Sequence, residues 1–211
     1  MRSIVLVGAG RFVREVIPLV RESGRHITGI LDDRSSDLPD LVGGVPVLGR
    51  VSDIDRYPDT DVVVTVASGV ARAVVVAKLE LLGVDAERYH SVIDPTVRNP
   101  ADCPIGGGSI LFAGVTITAD AELGTHVVAM PHVTITHDCV VSNYVTFASG
   151  VSLGGGVFIG DSAYLGMNSS ILPEVKVGAR AVVGMGAVVL RDVPEGETWA
   201  GVPAKRLEGR P

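Results

Sequence analysis

Residues 153–188 divide into six blocks of six residues, LGGGVF IGDSAY LGMNSS ILPEVK VGARAV VGMGAV, and each block begins with an aliphatic residue. The same phase runs from Ile105 to Val189, where fourteen of the fifteen first positions are large and apolar and Ala129 is the exception. The fifth position of every block is Ser, Ala, Cys or Val. Neither an amphipathic helix nor an alternating strand has a period of six, so this repeat decides the fold of the C-terminal half.

A parallel β-helix is the structure that has this period. Each block would supply one short strand and a corner, and three blocks would complete one turn of a triangular prism. The aliphatic first position would fill the prism, and the small fifth position would pack beside it at the corner. Each coil offers its hydrogen-bonding edge to the next, so the coils stabilise one another by stacking. Fifteen blocks, taken three to a coil, predict about five coils.

The N-terminal segment has the pattern of a small α/β unit. Residues 3–7, 27–31 and 61–66 are apolar runs typical of buried strands, and residues with helical spacing follow the first and the third run. This alternation predicts a Rossmann-like domain whose parallel sheet is covered on both faces. We therefore predict two domains, an α/β domain at residues 1–90 and the β-helix with a C-terminal tail at residues 91–211.

The carboxyl ends of the predicted strands carry Gly8-Ala9-Gly10, Asp32-Asp33 and Ala67-Ser68. Ligands bind at this edge of such sheets, and a glycine turn lets backbone amides approach a phosphate at the start of a helix. Val13 stands where the dinucleotide fingerprint has its third glycine, so the match to an NAD site is partial. A tight turn without a ligand is a second interpretation, and the pattern favours a third, another nucleotide-bearing ligand.

Charge and cysteine content limit which binding partners and which cellular compartment we expect. The 18 basic and 24 acidic residues leave a net charge of −6, which gives no electrostatic reason to expect nucleic acid or an anionic membrane as partner. No stretch approaches the roughly 20 apolar residues of a membrane span. Two cysteines, Cys103 and Cys139, are too few for a disulfide scaffold and fit a reducing compartment. We expect a cytoplasmic protein.

His137 is the histidine whose surroundings suggest chemistry. It stands at the third position of its block, which should point outward, and Asp138 follows it. Gly155 lies 18 residues further on and therefore one coil above, so a backbone amide without a side chain should stack over the imidazole. A base and an oxyanion donor are the minimum for acyl transfer. The alternative is a solvated surface histidine, which is the commoner state of an outward-facing histidine.

Metal binding and cysteine chemistry have little support in the sequence. His126, His132 and His137 lie in successive blocks and hence on different faces of the prism, so no metal site is predicted. Cys139 occupies one of the small fifth positions, which is typical of a core residue and not of a nucleophile.

The segment His137-Asp138-Cys139-Val140-Val141, the unbroken phase of the blocks, the ending Gly201-Val202-Pro203-Ala204-Lys205-Arg206 and the Gly8-Ala9-Gly10 turn together resemble one family of hexapeptide acyltransferases. Its members couple a small nucleotide-sugar-binding α/β domain to a left-handed parallel β-helix. They include sialic acid O-acetyltransferases and the N-acetyltransferases of nucleotide-linked amino sugars. The resemblance covers essentially the whole chain and implies acetyl-CoA as co-substrate and a homotrimer with coenzyme A between adjacent prisms.

The resemblance also implies roles for individual residues. His137 matches the proton acceptor, Asp138 the adjacent acidic residue, and Gly155 the glycine whose amide lies near the thioester. Positions that contact acetyl-CoA correspond to Thr146, Met167 and Met185, and those that hold the nucleotide sugar to Gly10, Arg11, Phe12, Asp32, Asp33 and Ala67. Lys205 could meet a phosphate of coenzyme A, or it could be a solvated cation of the tail. Many members have histidine where this chain has Thr146 and Phe12, and the second difference leaves the sugar nucleotide open.

The leading hypothesis is therefore an acetyl-CoA-dependent acetyltransferase that acts on the amino group of a nucleotide-linked amino sugar. A second hypothesis keeps the chemistry and changes the acceptor to a hydroxyl, as in sialic acid, because an amine and a hydroxyl need the same base. A third is a non-catalytic trimeric solenoid that serves as a scaffold. The sequence identifies neither the sugar, the nucleotide, the length of the acyl group nor the pathway.

Overall fold

The computed structural model describes residues 2–208 of the chain, which form two compact units. The first unit contains the residues up to Ala67 together with Ala71–Val92, and the second contains Ser68–Val70 and the residues from Ile93 onward. The predicted domain boundary between residues 90 and 91 lies two residues before this division. The boundaries of independently folding domains stay a prediction.

The first unit is built on a five-stranded sheet with the order β3-β4-β2-β1-β5. Its strands are β1 (Ile4–Val7), β2 (Ile27–Leu31), β3 (Leu41–Val42), β4 (Val45–Gly49) and β5 (Asp61–Val64). Its helices are α1 (Val13–Glu22) and α2 (Gly69–Leu81), and 3-10 turns occur at Ser35–Asp37, Val51–Arg56 and Ala86–Arg88. β1 pairs in parallel with β2 and β5, as the apolar runs predicted. The antiparallel hairpin of β3 and β4, which turns at Gly43 and Gly44, was not predicted.

The second unit is a left-handed parallel β-helix built from short strands, all of two residues except the three-residue β21. The strands run from β6 (Val92–Ile93) through β7 (Ile110–Leu111), β8 (Thr116–Ile117), β9 (Glu122–Leu123), β10 (Val128–Ala129), β11 (Thr134–Ile135), β12 (Val140–Val141), β13 (Thr146–Phe147), β14 (Ser152–Leu153), β15 (Phe158–Ile159), β16 (Tyr164–Leu165), β17 (Ser170–Ile171), β18 (Lys176–Val177), β19 (Val182–Val183) and β20 (Val188–Val189) to β21 (Thr198–Ala200) and β22 (Lys205–Arg206).

The strand pairing follows the predicted three blocks per coil. The strands from β7 to β17 pair with the residues 18 positions further on, as Val128 does with Thr146, whereas β19 pairs with β21 at an interval of 16 residues. The strands form three separate sheets. The five predicted coils are present. Pairing of β6 with β7 and a bridge between Arg98 and Thr116 add an incomplete coil before them. The antiparallel strand β22 pairs with β21 at the other end.

The interior of the prism is filled by the two restricted positions of the repeat. First-position residues such as Leu153 and Ile159 are buried, and so are fifth-position residues such as Val157 and Cys139. Phe147 is fully buried, and most of the other core side chains are Val, Ile, Leu or Ala. Trp199 packs against the same core with only 7% of its surface exposed. Two restricted columns therefore account for most of the packing that holds the coils together.

The corners have a backbone conformation that the sequence did not reveal. The fourth position of every block from Gly108 to Gly186 has a positive φ, and nine of these residues are not glycine. Left-handed backbone costs non-glycine residues about 1–2 kcal/mol each, less for Asp, Asn and His. Tyr144, Glu174 and Arg180 also adopt it, with φ between 55° and 64°. The stacking of the coils thus holds these residues in a left-handed conformation that is unfavourable for them in an isolated chain.

Within the part of the chain that the structure describes, no helix has the length and apolar character needed to span a bilayer.

Candidate functional site

His137 lies at an outward corner between β11 and β12, with 64% of its side chain exposed. Its Nδ1 atom is 2.6 Å from Oδ2 of Asp138, whose side chain is 65% exposed. Asp138 has φ 58°, so the left-handed corner brings the side chains of two consecutive residues together. The carboxylate therefore orients the imidazole and leaves Nε2 as the ring nitrogen that faces away from it.

Gly155 lies one coil above His137, as the 18-residue stacking predicts. The amide of Gly156 donates a hydrogen bond of 2.9 Å to the carbonyl oxygen of His137, which fixes the two corners against each other. A β-carbon placed on Gly155 would lie 3.0 Å from Nδ1 of His137 and would overlap Cε1 and Nε2. The ring therefore occupies the space that a side chain at position 155 would need, and it can keep this position only beside glycine.

The amide of Gly155 has no capping side chain, and within residues 2–208 it shares this property with other third-position amides, such as those of Asp161 and Met167. Two third-position amides are capped by a side chain from the coil above: Oδ1 of Asn143 accepts from Thr125 at 2.8 Å, and Oδ1 of Asp161 accepts from Asn143 at 2.9 Å. Above Gly155 stands Pro173, whose side chain has no acceptor. Among residues 2–208 the structure gives the Gly155 amide no acceptor, so it is available to a ligand.

This arrangement can support acyl transfer. An imidazole with one nitrogen held by a carboxylate is a general base whose other nitrogen can remove a proton from a nucleophile. A backbone N–H within reach of the same place can stabilise a developing oxyanion. His137, Asp138 and Gly155, the three residues that the sequence predicted as catalytic, therefore stand together.

The residues predicted to contact acetyl-CoA lie at different places on the β-helix. Met167 and Met185 stand one above the other in a single column, with 46% and 71% of their surfaces exposed. Lys205 is exposed on β22. Thr146 on β13 is only 5% exposed, although it shares its place in the repeat with the exposed residues Ser152 and Ser170. The exposed methionines offer an apolar surface to a ligand, whereas Thr146 offers very little.

Asp32 follows β2 and holds the glycine turn of the first unit. Its Oδ2 accepts the amide hydrogen of Ala9 at 2.7 Å, and its Oδ1 accepts that of Arg34 at 2.9 Å. Burial alone would raise the pKa of Asp32, but these two hydrogen bonds and the Arg34 guanidinium outweigh it and lower the pKa. Asp32 is thus ionised and 8% exposed, with both oxygens engaged inside the protein. This structural use of Asp32 was not predicted.

The other predicted sugar-nucleotide residues of this unit are more accessible. Gly10, Arg11 and Ala67 are exposed, whereas Phe12 is 8% exposed. Asp33 has 52% of its side chain exposed and pairs with Nζ of Lys78 at 2.6 Å. The carboxyl edge of the sheet therefore presents backbone amides and one exposed carboxylate.

Two residues that support this edge were missed in the sequence. The hydroxyl of Thr65 donates to the carbonyl oxygen of Gly8 at 2.6 Å. Arg72 is fully buried, and its Nη1 donates to the carbonyl oxygens of Val66 and Ala67 at 2.7 and 3.0 Å. Nothing in their local sequence marked them, because their partners are fixed by the tertiary fold.

Neither cysteine is disulfide-bonded, and both are buried. Over residues 2–208 no three His, Cys, Asp or Glu side chains are grouped in a way that could hold a metal ion.

Two known protein families match separate parts of the chain, one in the first unit and one in the hexapeptide repeat. The family described as "PglD N-terminal domain" matches residues 3–79, and "Bacterial transferase hexapeptide (six repeats)" matches residues 156–191. No curated protein sequence matches the chain significantly.

Solved structures match over nearly the full length. WeeI from Acinetobacter baumannii is 32% identical, with a TM-score of 0.88, and the match covers 98% of this chain and 100% of WeeI. The GDP-perosamine N-acetyltransferase of Caulobacter crescentus, solved with CoA and GDP-perosamine, is 27% identical with a TM-score of 0.90 over 98% and 97% of the two chains. The acetyltransferase domain of PglB from Neisseria gonorrhoeae, solved with acetyl coenzyme A, is 28% identical with a TM-score of 0.89 over 98% and 99%.

Proposed function

Because this chain belongs to the bacterial hexapeptide transferases that carry a PglD-type N-terminal domain, we propose that it transfers an acetyl group from acetyl-CoA to the amino group of a nucleotide-linked amino sugar. The observation that carries the proposal is the stacking of the His137 imidazole against Gly155, with a carboxylate on one side of the ring and an uncapped amide above it. The similarity to enzymes solved with CoA and with a nucleotide-linked amino sugar supports the choice of substrates.

Each residue of the site would have its own role in the reaction. His137 takes a proton from the attacking amine as the new C–N bond forms at the acetyl carbonyl carbon. The N–H of Gly155 donates to the carbonyl oxygen as that oxygen gains negative charge. His137 then gives its proton to the departing sulfur as the C–S bond breaks. Asp138 keeps the imidazole oriented and supports the positive charge that the ring carries between the two proton transfers.

The two substrates would use different parts of the chain. The exposed side chains of Met167 and Met185 would contact the pantetheine part of acetyl-CoA, and Lys205 would meet a phosphate. Thr146 would add only a small surface because it is 5% exposed.

The nucleotide of the acceptor would bind at the carboxyl edge of the sheet in the first unit. Gly10 and the neighbouring amides would approach its phosphates, and Arg11, Phe12, Asp33 and Ala67 would contact the rest. Asp32 would contribute by holding the turn, because both of its oxygens already accept amide hydrogens. We expect these two parts to correspond to domains at residues 1–90 and 91–211.

We also propose that the enzyme is a homotrimer and works in the cytoplasm. Exposed apolar side chains on the β-helix, including Val140, Phe158 and Leu172, would suit a subunit interface. Two free cysteines and the use of acetyl-CoA fit a reducing compartment. Light scattering should give a mass of about 66 kDa, three times the 21.9 kDa of one chain, and a mass of one chain would contradict the trimer.

The function can be tested with the purified protein, acetyl-CoA and a panel of GDP-, UDP- and dTDP-linked amino sugars. We expect release of free CoA together with a product one acetyl group heavier, and only with some members of the panel. A product that resists hydroxylamine is an amide, whereas one that hydroxylamine cleaves is an ester and would favour a hydroxyl acceptor such as sialic acid. If calorimetry detects no binding of acetyl-CoA, the enzymatic function is wrong and a non-catalytic scaffold is the better interpretation.

A further inference from the structure

The peptide unit between Gly154 and Gly155 is held from inside the prism by a cysteine. Sγ of Cys139 lies 3.2 Å from the carbonyl oxygen of Gly154, within the distance of a sulfur hydrogen bond. Cys139 is fully buried at the fifth position of its block, two residues after His137. The carbonyl that it contacts belongs to the same peptide unit as the amide of Gly155.

Peptide geometry links this interior contact to the outer surface. In a planar trans peptide the C=O and the N–H point in opposite directions. Since the oxygen of Gly154 is directed at a buried thiol, the N–H of Gly155 is directed away from the core and toward the side where ligands can reach it. A hydrogen bond to the carbonyl also polarises the peptide and makes its N–H a stronger donor.

At several other corners the second-position carbonyl has a different hydrogen-bond partner. At Gly160, Gly166 and Gly178 the second-position carbonyl accepts the amide three residues later in its own block, at 3.1–3.2 Å. At Gly154 the carbonyl instead receives the thiol from the coil below. Ser109 reaches the carbonyl of Gly124 across the same interval of fifteen residues, but at 3.4 Å.

We propose that Cys139 is a positioning residue of the acyl-transfer site: its thiol holds the Gly154–Gly155 peptide so that the Gly155 amide faces the ligand and donates more strongly to the oxyanion. The proposal rests on the function proposed above. It assigns a role to a residue that the repeat alone would class as core packing.

The protonation state of the cysteine agrees with a donor role. Burial raises the pKa of the Cys139 thiol, and the neighbouring hydrogen bonds oppose the rise only in part. The neutral thiol therefore keeps its hydrogen at physiological pH, and a neutral thiol is both an S–H donor and a poor nucleophile.

The expected fall in kcat on loss of the Cys139 thiol follows from the contribution of an oxyanion donor and from the gain that polarisation adds to it. Loss of an oxyanion donor costs about 100- to 1,000-fold in rate, and cooperative polarisation contributes roughly 10–30% of the strength of a hydrogen bond. Cys139→Val should therefore lower kcat by about two- to eightfold. The KM for acetyl-CoA should stay the same, because the effect arises as charge develops on the oxygen. Valine fits this column of the core, where Val157 and Val175 occupy the same position.

Two further variants separate the hydrogen bond from packing. Cys139→Ser keeps a donor at the same place and should restore most of the rate. Cys103→Val changes the other buried cysteine and should leave kcat unchanged. If Cys139→Val has the wild-type kcat, or if Cys139→Ser is no better than Cys139→Val, the positioning role is wrong.

A second measurement does not depend on activity. Glycine labelled with 13C at the carbonyl and 15N at the amide gives directly coupled signals only from Gly–Gly peptide units, of which the sequence has five. We expect Cys139→Val to shift the Gly154–Gly155 signal and Cys103→Val to leave it in place. An unchanged signal would overturn the proposal. If the signal shifts but the wild-type protein acetylates no amino sugar, the proposed function fails and the control of this peptide by Cys139 stands.

Discussion

The imidazole of His137 fills the space in which Gly155 would carry a β-carbon. The contact joins residues 18 positions apart and exists because one coil of the β-helix lies directly on the next. The same stacking that builds the fold therefore brings a base and a backbone donor together, and a change in either residue should affect the chemistry before it affects the fold.

Gly155→Ala tests this contact directly. The new methyl group must displace either the imidazole or the Gly155 peptide, so we expect kcat to fall by about 100-fold or more. The circular dichroism spectrum should stay that of a folded β-helix, because the site is at an outer corner. Thr125→Ala changes a third-position residue in a column without proposed substrate contacts and should leave the rate unchanged. A rate for Gly155→Ala within tenfold of wild type would contradict the arrangement.

His137→Ala should lower kcat by roughly 100- to 10,000-fold, the usual contribution of a general base. Because the His137 side chain is 64% exposed, the stability should change by no more than about 0.5 kcal/mol. His132→Asn is a matched control, since His132 is another exposed histidine of the β-helix and asparagine tolerates its φ of 62°. Equal losses of activity in the two variants would show that His137 has no special role.

Asp138→Asn removes the charge from the partner of the imidazole and keeps a residue that suits a φ of 58°. We expect kcat to fall by roughly tenfold, less than for loss of the base, because solvent screens an exposed pair. Asp120→Asn makes the same change at the same corner one coil below and should have no effect. If the steady-state rates of Asp138→Asn and Asp120→Asn cannot be distinguished, the proposed role of Asp138 is wrong.

Much of this molecule could be predicted from the sequence, and what could not be predicted has physical reasons. The period of six fixed the β-helix, its register and the placement of Gly155 over His137, because every coil repeats the same geometry. The left-handed corners could not be predicted, since Asp120, Tyr144 and Arg180 share that backbone without sharing chemistry. The structural role of the Asp32 carboxylate could not be predicted, because the amide that it binds belongs to Ala9, 23 residues away in the sequence.

His90 makes the stability of the first unit depend on pH. Burial lowers the pKa of His90 below 6.5, and the nearby charge of Arg25 lowers it further, while Asp61 opposes both. As the pH falls below 6.5, the unfolded chain takes up a proton that the folded chain does not, so folding becomes less favourable. Urea unfolding between pH 8 and pH 5 should show this loss, at most about 1.4 kcal/mol per pH unit for one proton.

His90→Gln should flatten this part of the stability curve, and the same substitution at the exposed His26 should not. Parallel curves for the wild-type protein and His90→Gln would rule out His90 as the source.

Asn143 should contribute to stability without contributing to the chemistry. Its Oδ1 accepts hydrogen bonds from the amide and the hydroxyl of Thr125, at 2.8 and 3.1 Å, and so caps a corner that is otherwise open to water. Asn143→Ala should lower the free energy of unfolding by about 1 kcal/mol, the usual net value of a hydrogen bond, and leave kcat unchanged. Asn99→Ala, at an exposed position, should change neither quantity. The difference in stability between the two proteins is measured as a shift of the urea midpoint at one protein concentration. If Asn143→Ala unfolds at the wild-type midpoint, the hydrogen bonds from Thr125 to Asn143 do not stabilise this corner.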